Sequence, residues 1–270
     1  MPALSPLAIA ALTLVAFAAG LVDAIAGGGG LLTVPALLAA GLPPHLALGT
    51  NKGQSVFGSG AAMVSYWRSG LIDPARARTG FPLGLLGSAC GAALVLAVPA
   101  ANLKPIVLVL LAGAALFIGL RRPTGPTPTG AATSRGVATP AAAVTAPNRE
   151  ATRPVVAGLI ALVVGAYDGF FGPGTGTFLI VAFVALLGDG LARASASAKV
   201  VNFASNLAAL ALFAWRGVVI WPVALPMAAG QLCGGWIGAH LAVRRGDALV
   251  RRVAVLSALA LAVKLALDLR

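Results

Sequence analysis

Ten apolar segments, at about 6–26, 29–41, 45–67, 80–99, 103–120, 154–171, 174–188, 197–215, 218–243 and 253–267, take up most of the chain. A helix crosses the hydrocarbon layer in about 20 residues, so most of these segments are long enough to span it. Those at 29–41 and 174–188 are short and follow glycine-rich breaks, which leaves open whether they span or form half of a re-entrant hairpin. With 59% hydrophobic and 10% charged residues and a mean hydropathy of +0.95, the chain lies outside the range of soluble domains. An all-α, polytopic membrane protein is expected. The opening MPALSPLAIAALTLVAFAAG lacks the basic stretch of a cleavable signal, so the first segment is expected to stay.

The formal charge of +12 would point to nucleic acid in a soluble protein. Here orientation accounts for it, because cytoplasmic loops hold the excess of Arg and Lys. The basic residues gather at Arg68, Arg76 and Arg78, between Arg121 and Arg153, and between Arg244 and Arg252. Those loops are expected inside, and nucleic acid is not expected as a partner.

The chain repeats itself. GLVDAIAGGGGLLTVP at 20–35 is matched by GAYDGFFGPGTGTFLI at 165–180, which pairs Asp23 with Asp168 and Gly27 with Gly172. GTNKGQSVFGS at 49–59 is matched by SASAKVVNFASN at 195–206, pairing Lys52 with Lys199; WRSGLI, 67–72, and GSACGA, 87–92, recur as WRGVVI, 215–220, and GGWIGA, 234–239. Residues 121–153, rich in Pro, Thr and Ala, read as a disordered cytoplasmic linker between repeats at 1–120 and 154–270. Five segments per half, or three crossings if one pair is re-entrant, is an odd number, so the second half enters the membrane inverted. With the linker inside, Lys104, Arg216, Lys264 and Arg270 fall outside, as do both termini. Inverted repeats are a recurring transporter plan, with the substrate near the midplane where helices break. The breaks expected here are at 27–30 and 172–176.

Of seven acidic residues, Asp73, Glu150, Asp189, Asp247 and Asp268 read as loop or helix-end positions; Asp23 and Asp168 each precede a break within apolar sequence. Lys52 and Lys199 stand beside polar patches, whereas Lys104 and Lys264 lie near interfaces. An ionised group at the bilayer centre costs at least about 2.5–3.5 kcal/mol, and such groups usually face a cavity or a partner. In the functional reading, Lys52 and Lys199 attract an anion and Asp23 and Asp168 act in coupling or gating. Helix starts after Gly29–Gly30 and Gly174–Gly176 would add free N–H groups and partial positive charge. Thr33, Thr50, Asn51, Gln54, Ser55, Thr175, Thr177, Ser197, Asn202 and Asn206 could meet several substrate oxygens. Two structural readings stand beside this one: each Asp pairs with a Lys merely to hold the repeats together, or a lysine snorkels to an interface.

Other features read as structural. Gly230, Gly234 and Gly238, like Gly80, Gly84, Gly87 and Gly91, let helices approach closely. Cys90 and Cys233 read as packing residues, His45 as interfacial and His240 as too isolated for a metal site. GGGG lacks the Lys and Ser/Thr of a phosphate loop. No resident cofactor, metal or catalytic constellation is expected, so the chain is not read as an enzyme.

The stretch DAIAGGGGLLTVPALLAAGLPPHLALGTNKGQS resembles the first-repeat signature of the TauE/SafE, or sulfite exporter, family. GAYDGFFGPGTGTFLIVAFV followed by ASAKVVNFASNLAAL resembles its second-repeat signature, so the likeness covers nearly everything except the linker. One departure is SASAKVVN, where the family often has Thr-Asn-Lys: Ala198 stands in place of an amide equivalent to Asn51. The resemblance implies secondary transport of a small sulfur-containing anion such as sulfite, a sulfonate or sulfoacetate across the bacterial cytoplasmic membrane. A proton is the expected coupling ion and Na⁺ the alternative. A scaffold held by internal ion pairs and an anion channel are the rival readings. The expected partners are the anion and the lipid bilayer, with homo-oligomerisation left open.

Overall fold

A computed structural model describes residues 4–120 and 149–268. The helices are α1 (Pro6–Ala26), α2 (Gly30–Ala39), α3 (Pro44–Arg68), α4 (Pro74–Ala97), α5 (Ala100–Leu120), α6 (Arg149–Phe170), α7 (Thr175–Leu187), α8 (Leu191–Trp215) and α9 (Trp221–Asp268). α9 bends at Gly246 (φ 58°, ψ −153°), so it contains both of the last two apolar segments. No strand occurs among the described residues, as a lipid environment requires of a non-barrel protein whose backbone groups must be satisfied within each segment. Most of the expected linker lies outside the described residues, and its last part is already helical, since α6 begins at Arg149.

Local signals explain the helix ends. The Ser5 hydroxyl accepts from Ala8 N and the Asp73 carboxylate from Ala75 N, capping α1 and α4, with Pro6 and Pro74 as the first helical residues. By length and composition four described helices could cross a membrane: α1, α4, α5 and α8. α3 carries Thr50, Asn51, Lys52, Gln54 and Ser55 in its middle, and α2 and α7 have only 10 and 13 residues. At 1.5 Å per residue those two reach about 15 and 20 Å, short of a hydrocarbon layer of about 30 Å. Neither spans alone.

Each half lends a helix to the other. α1 packs along α9, and its counterpart α6 packs along α4, while α3 and α8 meet at the centre. A Cβ on Gly230, Gly234 or Gly238 of α9 would strike the backbone of α1 at Thr13, Phe17 or Leu21; one on Gly87 or Gly91 of α4 would strike α6 at Leu162 or Ala166. Gly80 and Gly84 instead meet Val201 of α8. These glycines are therefore the contact surface between helices, the role their spacing suggests. Cys90 and Cys233, in contrast, are exposed on the outside of the bundle rather than packed within it.

Candidate functional site

The site begins where α1 stops. Gly27 and Gly28 adopt φ of 77° and 89°, and Gly172 and Gly174 adopt 98° and 87°, a region that side-chain-bearing residues rarely enter. The two breaks touch: a Cβ on Gly27 would collide with the backbone of Gly176 and Thr177, and one on Gly30 would lie 3.1 Å from Pro173 Cα. Ending α1 inside the bundle leaves its last carbonyls without intrahelical donors. Side chains from three other helices supply them: Tyr66 OH donates to Ala24 O (2.8 Å), Ser195 Oγ to Ile25 O (2.9 Å) and Thr177 Oγ1 to Ala26 O (3.1 Å). At the second break Tyr167 OH donates to Pro173 O (2.7 Å) and Thr175 Oγ1 to Gly172 O (2.6 Å).

Around this crossing the four intramembrane charges form two pairs, and both pairs run between the halves. Lys52 Nζ lies 2.9 Å from Asp168 Oδ2, and Lys199 Nζ lies 2.8 Å from Asp23 Oδ2. The lysine side chains are 2% and 0% exposed, which rules out snorkelling. Lys52 also donates to Asn206 Oδ1 (2.9 Å), whose amide nitrogen donates to Ser59 Oγ (3.3 Å); Asp168 in turn accepts from Ser205 Oγ. Asp23 uses its second oxygen differently: Oδ1 accepts from Gly29 N at 3.2 Å, at the N-cap of α2.

A polar cavity lies among these groups. Of the residues expected from sequence, Asp23, Gly30, Asn51, Lys52, Ser55, Asp168, Gly174, Thr175, Gly176, Asn202 and Asn206 line it. Gly29 contributes through its N–H to Asp23. Thr33 and Gln54 stand behind the wall, donating to Asn51 Oδ1 at 2.6 and 3.0 Å. Thr50 accepts from Ile220 N, which ties α3 to the start of α9; Thr177 caps α1; Ser197 faces a separate cavity beside Arg76. Lys199 is adjacent through Asp23 rather than part of the lining. The amide cluster around Asn51 has no twin, since Ala198 and Val201 occupy the matching turn of α8.

Sequence reasoning missed Gln231, which lines the cavity from α9 and looks like one more helix residue in a glycine-rich stretch. It also missed Ser59 and Ser205, whose ordinary hydroxyls matter because of what they touch. A third buried ion pair escaped it as well: Arg76 Nη1 lies 2.6 Å from Asp189 Oδ2, with side chains 7% and 5% exposed. Asp189 sits in Gly-Asp-Gly, which reads as an open turn. Asp247, beside the bend at Gly246, takes a capping role that its sequence position does not show, accepting from Leu191 N and Ala192 N at 3.1 and 2.8 Å at the start of α8.

The cavity gathers one ammonium group, a helix N-terminus and amides, with a second ammonium behind Asp23, a combination suited to a small oxyanion. Comparison with known proteins places the chain among membrane transporters. The family model described as Sulfite exporter TauE/SafE matches residues 12–265. A "Probable membrane transporter protein ORF9" of Sinorhizobium sp. is 38% identical over 264 residues, covering 96% of this chain and 93% of the relative. "Probable membrane transporter protein YfcA" of Escherichia coli strain K12 is 37% identical over 98% of this chain and 91% of its own length, and a "Probable membrane transporter protein" of Haemophilus influenzae 35% identical over 96% and 95%. No solved structure matches. With glycine breaks, cross-paired charges and apolar helices in place, the chain belongs to the TauE/SafE sulfite exporter family, as a multi-pass membrane transporter of the bacterial cytoplasmic membrane and not an enzyme.

Proposed function

We propose that the chain moves a small sulfur-containing anion, such as sulfite, a sulfonate or sulfoacetate, by alternating access at the cavity between the two breaks. The observation that carries this reading is the pair of crossed ion pairs: Lys52–Asp168 and Lys199–Asp23 each join one half to the other at the point where a helix of each half is broken. Rocking one half against the other changes both pairs at once, so substrate charge and conformation are coupled through the same four side chains. The repeats are inverted in the membrane, with the basic loops inside, and this presents one site to the two sides in turn. Family membership supports the substrate class and the geometry supports an anion.

A proton is the coupling ion, taken by Asp23 or Asp168 when its lysine turns to the substrate. Sodium is the alternative, because carboxylate and amide oxygens beside a broken helix suit a hard cation. Protein reconstituted in liposomes and given labelled sulfite or a small sulfonate is expected to accumulate it under an imposed pH gradient. Lys52→Ala and Lys199→Ala are expected to abolish that flux. Normal transport by either variant removes the lysine assignment; indifference to the pH gradient together with a sodium requirement selects Na⁺; and flux that only follows the anion's own gradient selects a channel.

A further inference from the structure

The two crossed pairs occupy matching places, yet they are not equivalent. Lys52–Asp168 is enclosed: the Asp168 side chain is 5% exposed, and Asn206, Ser59 and Ser205 saturate the pair. Lys199–Asp23 is the open one. The Asp23 side chain is 17% exposed, and among the described residues the Lys199 ammonium has a single hydrogen-bond partner, Asp23 itself. Asp23 is also held as an anionic ligand would be, one oxygen on an ammonium and the other on the N–H of Gly29 at the start of the ten-residue helix α2.

A second observation points to a ligand there. Asn202 and Gln231, 4% and 2% exposed, line the same cavity, and each has a side-chain oxygen without a hydrogen-bond partner. A buried polar atom without a partner is costly, so such a group is met by water or by a ligand, and of the four such atoms among the described residues these two line the cavity. An oxyanion offers acceptors for Lys199, and its own hydrogen, as in bisulfite, or a water bound with it, as for a sulfonate, offers a donor for these oxygens.

We propose that Asp23 is the protein's own occupant of the anion site: in the binding step the substrate oxyanion displaces its carboxylate from Lys199 and Gly29 N, while Lys52–Asp168 stays closed and keeps the frame until the halves rock. The inference rests on the anion-carrier reading above. The displaced carboxylate takes one proton from water on the open side, so one negative charge enters, one positive charge enters, and the net charge of the site is unchanged. The ionisable groups facing Asp23 are Lys199 of α8 and, from α3, Lys52 and Tyr66, which interact with its charge. α2 and α7 carry none, and on α9, which packs along α1, His240 is bonded to Ser65 Oγ.

The test is equilibrium binding of sulfite, methanesulfonate, phosphate and formate to the purified full chain, with melting temperature measured in parallel. If Asp23 fills the site nine-tenths of the time, its removal raises anion affinity about tenfold. Asp23→Asn and Asp23→Ala are therefore expected to bind more tightly than wild type, Lys199→Ala to lose binding, and Asp168→Asn to melt earlier with no gain in affinity. In wild type each methanesulfonate or formate bound, neither of which exchanges protons near neutral pH, takes up one proton, read with an indicator dye in unbuffered solution; this measurement decides the matter even where a variant does not fold. Weaker binding in the Asp23 variants, equal gain in Asp168→Asn, or no proton uptake overturns the displacement and leaves the anion-carrier reading intact. The expected pattern with phosphate or formate but not with sulfite or methanesulfonate supports the displacement and overturns the sulfur-anion assignment. No anion bound by any form overturns both.

Discussion

Lys52 shows how much a single charge depends on its surroundings in this protein. Its ammonium is paired with Asp168 and bonded to Asn206, and removing one member of such a pair leaves the other buried without compensation. Lys52→Met and Asp168→Asn are each expected to cost about 3–5 kcal/mol, read as a lower melting temperature in detergent. The double variant Lys52→Met/Asp168→Leu is expected to recover most of that loss and still to fail in transport. All four charges were legible in the sequence, because so few ionisable residues interrupt the apolar segments. Pairing of each Asp with a Lys to hold the repeats together was one reading open there, but which Lys meets which Asp was not: internal repetition reveals which residues are equivalent, and equivalence is silent on which equivalents touch. The crossing of the pairs is a property of α3 and α8 meeting at the centre, which only the fold contains.

The half-length helices α2 and α7 were half legible. GGGG and GPGTG announce a break, but the meeting of the two breaks depends on tertiary packing. Gly27 has both a left-handed backbone and the peptide of Gly176 where a methyl group would go. Gly41 has a similar φ of 89° with open space around it. Gly27→Ala is therefore expected to abolish transport and accumulation of folded protein, whereas Gly41→Ala is expected to lose only about 1–2 kcal/mol from backbone strain. Fluorescence-detected size-exclusion chromatography distinguishes the two outcomes. The end of α1 depends equally on its helpers. Ser195→Ala leaves the Ile25 carbonyl buried without its donor, and a loss of about 1–3 kcal/mol is expected in thermal unfolding. Ser195, Tyr66 and Thr177 carry no sequence signal for this role, since a hydroxyl in a helix reads the same whether or not a broken helix ends beside it.

Across the whole molecule the halves correspond in plan and differ in chemistry. Asp189 lies two residues before α8 and meets Arg76, third residue of α4; Leu42 lies two residues before α3 and shares an apolar cluster with Val223, third residue of α9. Corresponding corners are thus closed by an ion pair in one case and by hydrocarbon in the other. Arg76→Met is expected to cost about 3–5 kcal/mol and Arg76→Met/Asp189→Leu to restore it, while Leu42→Ala costs about 2–5 kcal/mol through the space it leaves; melting curves of the three check this. The crossing of the central pairs also has a meaning in time. Lys199 is synthesised 176 residues after its partner Asp23, a delay on the order of 10 s at roughly 5–20 residues per second. Until then Asp23 lacks the ammonium that its carboxylate pairs with, and Lys52 waits in the same way for Asp168, so the first half, made alone, is expected to be degraded in cells, and residues 149–270 supplied as a separate chain are expected to rescue it, as immunoblots of both fragments would show. A newborn copy of this transporter is therefore marked as unfinished by its own electrostatics, and the mark is erased only when the last third of the chain arrives.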